Sequence, residues 1–429
     1  MIAVIIVLIF LGVIIHFLND KAYLYYFLIL YFFVPFFISL FLNLSEEDNQ
    51  VLTNYSPLFL IPIFLIELVK NRFKIINGVP FICFVILFVY IIAGAIFHGA
   101  PTGEYILHFL VSFVIPLFCL SNLFFWSPPE PQVLSKFIVC ILGINLVLAF
   151  LQYFGGFMVL GFKEDSVSMS GISGTLSGGN TFAFYLLLFF FYLLLREKQI
   201  TQTAKWCLII AIVTAILLTG VRTYLLCAII FIPLCLLLKR EENFNPFVVL
   251  IVLLMIALPL ILLSRSNSSG YGTNDAENAV QRQVYGLSTF AKGESADERS
   301  TLFLSLYVFT DYFIHNPFFG QWLLYTNESY NLVSPANNNV MDAGIAVYLS
   351  DIGIVGMLLY ILFQIKTLLW QTDNKLRKYV ILLYLYILLT TDTDIGVFGG
   401  ALTCCTFIVC YLLQTESEEM QEQTESIEE

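Results

Sequence analysis

The sequence predicts an all-α, polytopic membrane protein with about 12 to 13 transmembrane helices and one long extracytoplasmic loop that contains a surface helix. Three observations support this prediction. Of the 429 residues, 59% are hydrophobic and only 12% are charged, whereas soluble domains carry about 25% charged residues. Apolar stretches of about 20 residues, enough to cross a hydrocarbon layer roughly 30 Å thick, recur along the chain. Basic residues are unevenly distributed between alternate connections, as membrane insertion requires.

Thirteen apolar stretches are predicted to span the membrane, with boundaries that can move by several residues. Ten lie within residues 1–264, near 2–18, 22–43, 51–69, 79–97, 105–125, 137–159, 179–196, 203–219, 221–238 and 246–264. Three more lie within residues 342–413, near 343–365, 379–391 and 396–413. The third stretch is interrupted by Pro57 and Pro62, which cannot donate a backbone hydrogen bond.

The lysines and arginines in the connections orient the chain, because basic residues are retained on the cytoplasmic side. One set of connections holds fourteen of them: Lys21, Lys70, Arg72, Lys74, Lys136, Arg196, Lys198, Lys205, Lys239, Arg240, Lys366, Lys375, Arg377 and Lys378. The other set holds six: Lys163, Arg222, Arg265, Arg282, Lys292 and Arg299. The second set, which includes the long loop, is therefore expected to face outward. Thirteen spans would put the amino terminus outside and the carboxyl-terminal tail in the cytoplasm.

The long extracytoplasmic loop covers residues 265–341. Its first half is polar, whereas Thr301–Ile314 is aromatic and apolar and is followed by Asn316-Pro317. We expect this second part to form a helix that lies on or dips into the membrane surface. Loops of this length are usually functional or disordered rather than simple connectors.

The net charge of −11 owes much to residues 414–429, which carry seven of the 31 acidic residues and no lysine or arginine. Such a run predicts an acidic, disordered cytoplasmic tail, with a partner-binding tail as the alternative. The composition gives nucleic-acid binding no support.

The nine cysteines all lie in apolar stretches, where we expect small core residues rather than disulfides or zinc ligands. They are Cys83, Cys119, Cys140, Cys207, Cys227, Cys235, Cys404, Cys405 and Cys410.

Three outward-facing segments place polar or charged groups beside apolar helix ends. The first is Gly171–Asn180, GISGTLSGGN, directly before a predicted span. Glycines let backbone amides approach a ligand closely, and a helix start offers N–H groups to an anion. A flexible surface turn capped by Asn180 explains the same residues.

The second segment contains Arg222, in LLTGVRTYLL, between two tightly joined spans. Its guanidinium is expected at or just within the outer membrane boundary, where an ionisable group marks a functional site or snorkels to the interface. A planar, always protonated guanidinium is suited to binding phosphate.

The third segment runs from Glu298 to Gly356. Arg299 opens the predicted surface helix, and Asp342 lies at the outer start of the next span. The Asp342 carboxylate could take a proton from a hydroxyl nucleophile or could cap the helix, and both interpretations stay open. His315 is expected to be a surface residue rather than a catalyst.

The order of these features resembles the O-antigen ligase and polymerase family: a glycine-rich stretch before a span, a short outward turn with arginine, a long outward loop with R…NPxxG, and a span with GIxG. The matching pieces are Ser173–Asn180, Thr219–Thr223, Arg299 with Asn316, Pro317 and Gly320, and Asp342 with Gly353 and Gly356. The earlier spans match only in hydropathy. Many ligases and some polymerases of the family have His-Asn where this chain has Asp342-Ala343, which makes the ligase interpretation weaker than the polymerase one.

Members of that family transfer lipid-diphosphate-linked glycans at the outer face of the bacterial inner membrane, without a metal or nucleotide. The resemblance implies that Arg222 and Arg299 bind the diphosphate and stabilise it as it leaves. Asp342, on the base interpretation given above, is the third residue of the predicted catalytic set. The resemblance also implies a substrate-binding set, of which Trp322 either stacks on sugars or packs within the surface helix: Gly174, Asn180, Thr223, Asn316, Gly320 and Trp322. No cofactor or metal is expected.

The implied function is polymerisation of undecaprenyl-diphosphate-linked oligosaccharide repeat units into O-antigen, capsule or exopolysaccharide. One alternative is a ligase that transfers finished glycan to lipid A-core or protein. Another is a transporter or flippase of the lipid-linked glycan, although the spans offer few mid-membrane charges besides Glu67 and Asp351. The expected partners are the lipid bilayer, the lipid-linked glycans, and a chain-length regulator and flippase of the same pathway.

Overall fold

The computed structural model describes residues 2–34, 36–38, 56–75, 78–97, 114–155, 172, 174–176, 179–195, 201–219, 224, 317–320, 344–368 and 403–413. These residues form helices and turns, with no β-strand among them. The helices are α1 (Ile2–Leu18), α2 (Ala22–Phe32), α3 (Leu60–Lys70, after a 3-10 turn at Ser56–Phe59), α4 (Gly78–Phe97), α5 (Ile115–Trp126), α6 (Pro131–Gly155), α7 (Gly179–Leu195), α8 (Gln202–Leu218), α9 (Gly344–Leu368) and α10 (Thr403–Leu413). The predicted all-helical class is therefore confirmed for the described part of the chain.

Two of the described helices, α4 and α6, are long and apolar enough to cross a membrane. Seven further apolar helical segments of 10 to 17 residues occur in the same described part. The predicted spans near 246–264 and 379–391 lie outside the described residues, as do Thr301–Ile314, the acidic tail and all of the span near 221–238 except Tyr224.

Prolines shift two helix starts away from the predicted ones. The third predicted span was expected from residue 51, but α3 begins at Leu60, after the 3-10 turn that contains Pro57. Pro62 then lies in the first turn of α3, where the missing N–H has no intrahelical acceptor to lose. Similarly, α6 begins at Pro131 rather than near residue 137, because proline is favoured at the first helical position.

The chain divides into two compact units. The first comprises Met1–Tyr31, Val51–Glu130 and Arg299–Tyr411, and contains α1, α3, α4, α5 and α9. Within it, α4 packs on α9 and α3 packs on α5. Aromatic rings fill this core: the rings of Phe84 and Phe118 stack with centroids 4.0 Å apart.

The second unit comprises Phe32–Gln50, Pro131–Glu298 and Leu412–Glu429, and contains α6, α7 and α8. Helix α8 packs on both α7 and α6. The side chains of residues 181–193 in α7 are all buried.

The expectation that every cysteine is a core residue is wrong for two of them. Cys140 in α6 and Cys207 in α8 are exposed, whereas the other described cysteines, Cys83, Cys119, Cys404, Cys405 and Cys410, are buried. Side chains project from all sides of a helix, so membership of an apolar stretch does not specify which residues face inward.

Candidate functional site

Most of the predicted site residues lie outside the described part of the chain: Arg222, Thr223, Arg299, Asn316, Trp322 and Asp342. Their roles stay predictions. The structure does place Gly174, Gly320 and the backbone of Asn180. It also describes residues adjacent to several of the other predicted site residues, and these form two clusters, one in each unit.

The first cluster joins a short segment of the long loop to a break in α9. We call Pro317–Gly320 the strap. Helix α9 is interrupted at Gly353, whose backbone has φ +65° and ψ −176°. The Ile354 N–H donates to the Pro317 carbonyl at 3.0 Å, and the Val355 N–H donates to the Phe318 carbonyl at 3.1 Å. The strap thus supplies acceptors for amides at the start of the second half of α9.

This contact requires glycine. A Cβ atom on Gly353 would lie 2.5 Å from both the Gly320 nitrogen and the Phe318 carbonyl oxygen, and these are backbone atoms that no rotamer change can move away. Gly320 is buried and also has a left-handed backbone, with φ +73°. The NPxxG and GIxG pieces, separate motifs in the sequence, therefore meet in one structural unit.

Tyr90 of α4 completes the first cluster. Its hydroxyl donates to the Ile352 carbonyl at 2.7 Å and lies 3.4 Å from the Phe319 carbonyl of the strap. Its ring lies so close to Gly356 that a Cβ there would be 2.7 Å from Tyr90 Cε1. Sequence reasoning did not single out Tyr90, because a tyrosine in an apolar span carries no signal of its partner.

The second cluster holds the glycine-rich segment against α6. The Gln152 side chain makes two hydrogen bonds to Gly174: its Nε2 donates to the carbonyl at 2.7 Å, and its Oε1 accepts from the N–H at 3.0 Å. Asn145 Oδ1 accepts from the Thr175 N–H at 3.1 Å and from the Thr175 hydroxyl at 2.6 Å. Asn145 and Gln152 are seven residues apart and therefore lie on one face of α6.

The expected alternative for this segment, a flexible surface turn capped by Asn180, does not match its burial. Gly174, Thr175 and Leu176 are buried, and α7 begins at Gly179, so Asn180 lies in its first turn rather than at the cap. The Gly174 and Thr175 amides are already hydrogen-bonded within the protein, so an anion there would have to displace an amide side chain. The only sequence signal for Asn145 and Gln152 was their polarity within an otherwise apolar helix.

The second cluster also joins two of the segments singled out in the sequence. The Ile172 N–H donates to the Leu218 carbonyl at 3.4 Å, which joins the glycine-rich segment to the end of α8. Leu218 directly precedes Thr219–Thr223, the motif that contains Arg222. Beyond that motif, Tyr224 is buried, with its ring centroid 6.2 Å from that of Phe184 in α7.

A third feature is a group of ionisable side chains between α1 and α3, in which His16 and Glu67 are buried and Lys70 is exposed. His16 Nε2 lies 2.9 Å from Glu67 Oε1, and Lys70 Nζ lies 2.6 Å from the same oxygen. His16 is 1% exposed and Glu67 is 5% exposed. An ionised carboxylate only accepts, so with Glu67 ionised the His16 ring donates from Nε2 in this contact. The sequence indicated Glu67 as an isolated charge and did not pair it with His16.

No protein-family model matches the chain, and no curated protein is significantly similar to it. The resemblance to O-antigen ligases and polymerases therefore rests on the order and residues of the sequence motifs alone.

Proposed function

We propose that this chain is a polytopic protein of the bacterial inner (cytoplasmic) membrane, with its long loop on the outer side, that polymerises undecaprenyl-diphosphate-linked oligosaccharide repeat units into O-antigen, capsule or exopolysaccharide. The observation that supports the proposal best is that motif pieces distant in sequence meet in pairs. The strap contacts the GIxG break of α9, and the glycine-rich segment contacts the residue that precedes the Arg222 motif.

The membrane location is supported by outward-facing apolar surfaces. Helix α4 buries Cys83, Leu87, Ile91 and Ala95, but exposes Val79, Ile82, Ile86, Val89 and Ile96 at helical spacing. Helix α1 similarly exposes Val7, Phe10, Ile14 and Phe17. Water-soluble proteins rarely expose contiguous apolar faces of this kind, whereas a lipid-facing helix requires them.

In the proposed reaction, an acceptor sugar hydroxyl attacks the anomeric carbon of a lipid-linked glycan. The new glycosidic C–O bond forms as the bond from that carbon to the diphosphate oxygen breaks, and lipid diphosphate leaves with the electron pair. Arg222 and Arg299 are proposed to stabilise the charge that grows on the diphosphate. Asp342 is proposed to take the hydroxyl proton.

A surface-glycan profile tests the proposal in a strain that lacks this chain. In that strain, single repeat units attached to lipid A-core would indicate that a polymerase has been lost, whereas long chains not attached to lipid A-core would indicate that a ligase has been lost. Complementation with Arg222→Ala or Arg299→Ala should abolish chain lengthening at normal protein abundance, and Asp342→Asn should cut activity far more than stability. Arg265→Ala, in the same loop but outside the motifs, is the matched control. Normal chain-length ladders in both motif variants would exclude the diphosphate role.

A flippase or transporter of the same glycan is the second candidate, and the buried His16–Glu67 pair favours it. Ionisable groups inside a membrane bundle often serve proton relays in transporters. A strain without a flippase would show no surface glycan at all. Single repeat units on the surface of the deletion strain would instead exclude a flippase or transporter, because the units must cross the membrane before they are attached to lipid A-core.

A further inference from the structure

Three chain segments meet at the hydroxyl of Tyr90. Tyr90 belongs to α4, Ile352 directly precedes the break in α9, and Phe319 lies in the strap. The hydroxyl donates to the Ile352 carbonyl at 2.7 Å and reaches the Phe319 carbonyl at 3.4 Å. Both acceptors border the point where the strap crosses α9.

The break explains why a side-chain donor is needed at this position. A regular helix satisfies its own carbonyls, but the left-handed Gly353 takes the chain out of helical geometry directly after Ile352. In apolar surroundings, a backbone carbonyl without a donor is costly. Tyr90 supplies that donor from a neighbouring helix, and its ring fills the space beside Gly356.

The strap lies between two proposed catalytic residues in the sequence. Arg299 precedes it in the long loop, and Asp342 follows it, shortly before Gly344, the first described residue of α9. Residues 321–343 connect the strap to α9 along the chain, and the strap and α9 are hydrogen-bonded to each other.

We propose that Tyr90 is a positioning residue that clasps the strap to α9 and thereby supports glycan transfer. This inference rests on the proposed function for its catalytic consequence, but the clasp itself does not. Tyr90 touches neither substrate nor reacting atoms in this scheme. It acts through the backbone of the strap and of α9.

The test compares Tyr90→Phe with Tyr26→Phe in the full-length protein. Tyr26 is the matched control, because its hydroxyl donates to the Leu8 carbonyl at 2.8 Å and is likewise partly buried in the same unit. Phenylalanine keeps each ring and removes one hydroxyl. Loss of one hydrogen bond should shift the clasped-to-released ratio by roughly twofold to tenfold.

Two readouts are needed. Hydrogen exchange of the Ile354 and Val355 amides should be faster in Tyr90→Phe than in wild type or Tyr26→Phe. In extension of a purified lipid-linked repeat unit, Tyr90→Phe should lower kcat, by at most that factor, and leave KM for the donor unchanged, because a smaller fraction of the molecules is clasped.

Unchanged exchange at Ile354 and Val355 in Tyr90→Phe would overturn the clasp, as would equal acceleration in Tyr26→Phe, which would indicate general loosening. Faster exchange with wild-type kcat would remove its role in transfer. Failure of the proposed function is separate: it would show as normal glycan chains in the deletion strain, while the exchange measurement needs no reaction.

Discussion

Replacing Gly353 with alanine should be strongly destabilising. The new Cβ would lie 2.5 Å from two backbone atoms of the strap, so the strap has to move. The backbone at φ +65° and ψ −176° is a region that essentially only glycine adopts.

The magnitude follows from two contributions. Forcing a Cβ residue into this backbone region costs about 1–3 kcal/mol. Displacing the strap removes the Ile354–Pro317 and Val355–Phe318 hydrogen bonds, which contribute about 0.5–1.5 kcal/mol each. Together these give a loss of about 2–6 kcal/mol in the free energy of unfolding.

The assay is thermal unfolding of the purified full-length protein in detergent, with Gly143→Ala as the control. Gly143 lies inside α6, and a Cβ there would meet nothing within 4 Å. That variant should match wild type or gain up to about 1 kcal/mol from better helix propensity. If Gly353→Ala and Gly143→Ala unfold at the same temperature, the reasoning about the strap is refuted.

Two further predictions concern buried polar groups. Asn145→Ala should lower the free energy of unfolding, measured by chemical denaturation, by about 2–4 kcal/mol, because it leaves two buried donors of Thr175 without an acceptor. The control is Asn122→Ala, which loses a hydrogen bond to the Phe118 carbonyl of its own helix and should lower the free energy of unfolding by less. Glu67→Ala should cost about 1–3 kcal/mol because buried His16 loses its acceptor. Glu67→Gln keeps an acceptor and should recover much of that loss in a thermal melt; equal losses in the two variants would contradict this account.

Several helix bounds were predictable from the sequence. The stretches predicted near 2–18, 79–97, 179–196 and 203–219 correspond to α1, α4, α7 and α8 within about one residue. Long, uniformly apolar runs specify a helix of a certain length, because the backbone must satisfy its own hydrogen bonds when no water is near. Glycine or polar residues at the ends of these runs then mark where the helix stops.

The contacts of the candidate site were not predictable in the same way. Hydropathy is continuous through Gly353, so the sequence predicted one unbroken span where α9 is interrupted. The break exists because the strap approaches there, and the strap lies more than 30 residues earlier in the chain. A local pattern contains no information on so distant a partner.

The sequence by itself determined the helical class, the apolar character of the surface and the order of the motif residues. Only the tertiary structure decided which of those residues meet: Gln152 with Gly174, Asn145 with Thr175, and Tyr90 with the broken helix. The physical reason is that helices which are apolar on every face carry little periodic signal of which face is inside. Their few polar side chains need partners, but the identity of each partner depends on the packing of helices that are far apart in the chain.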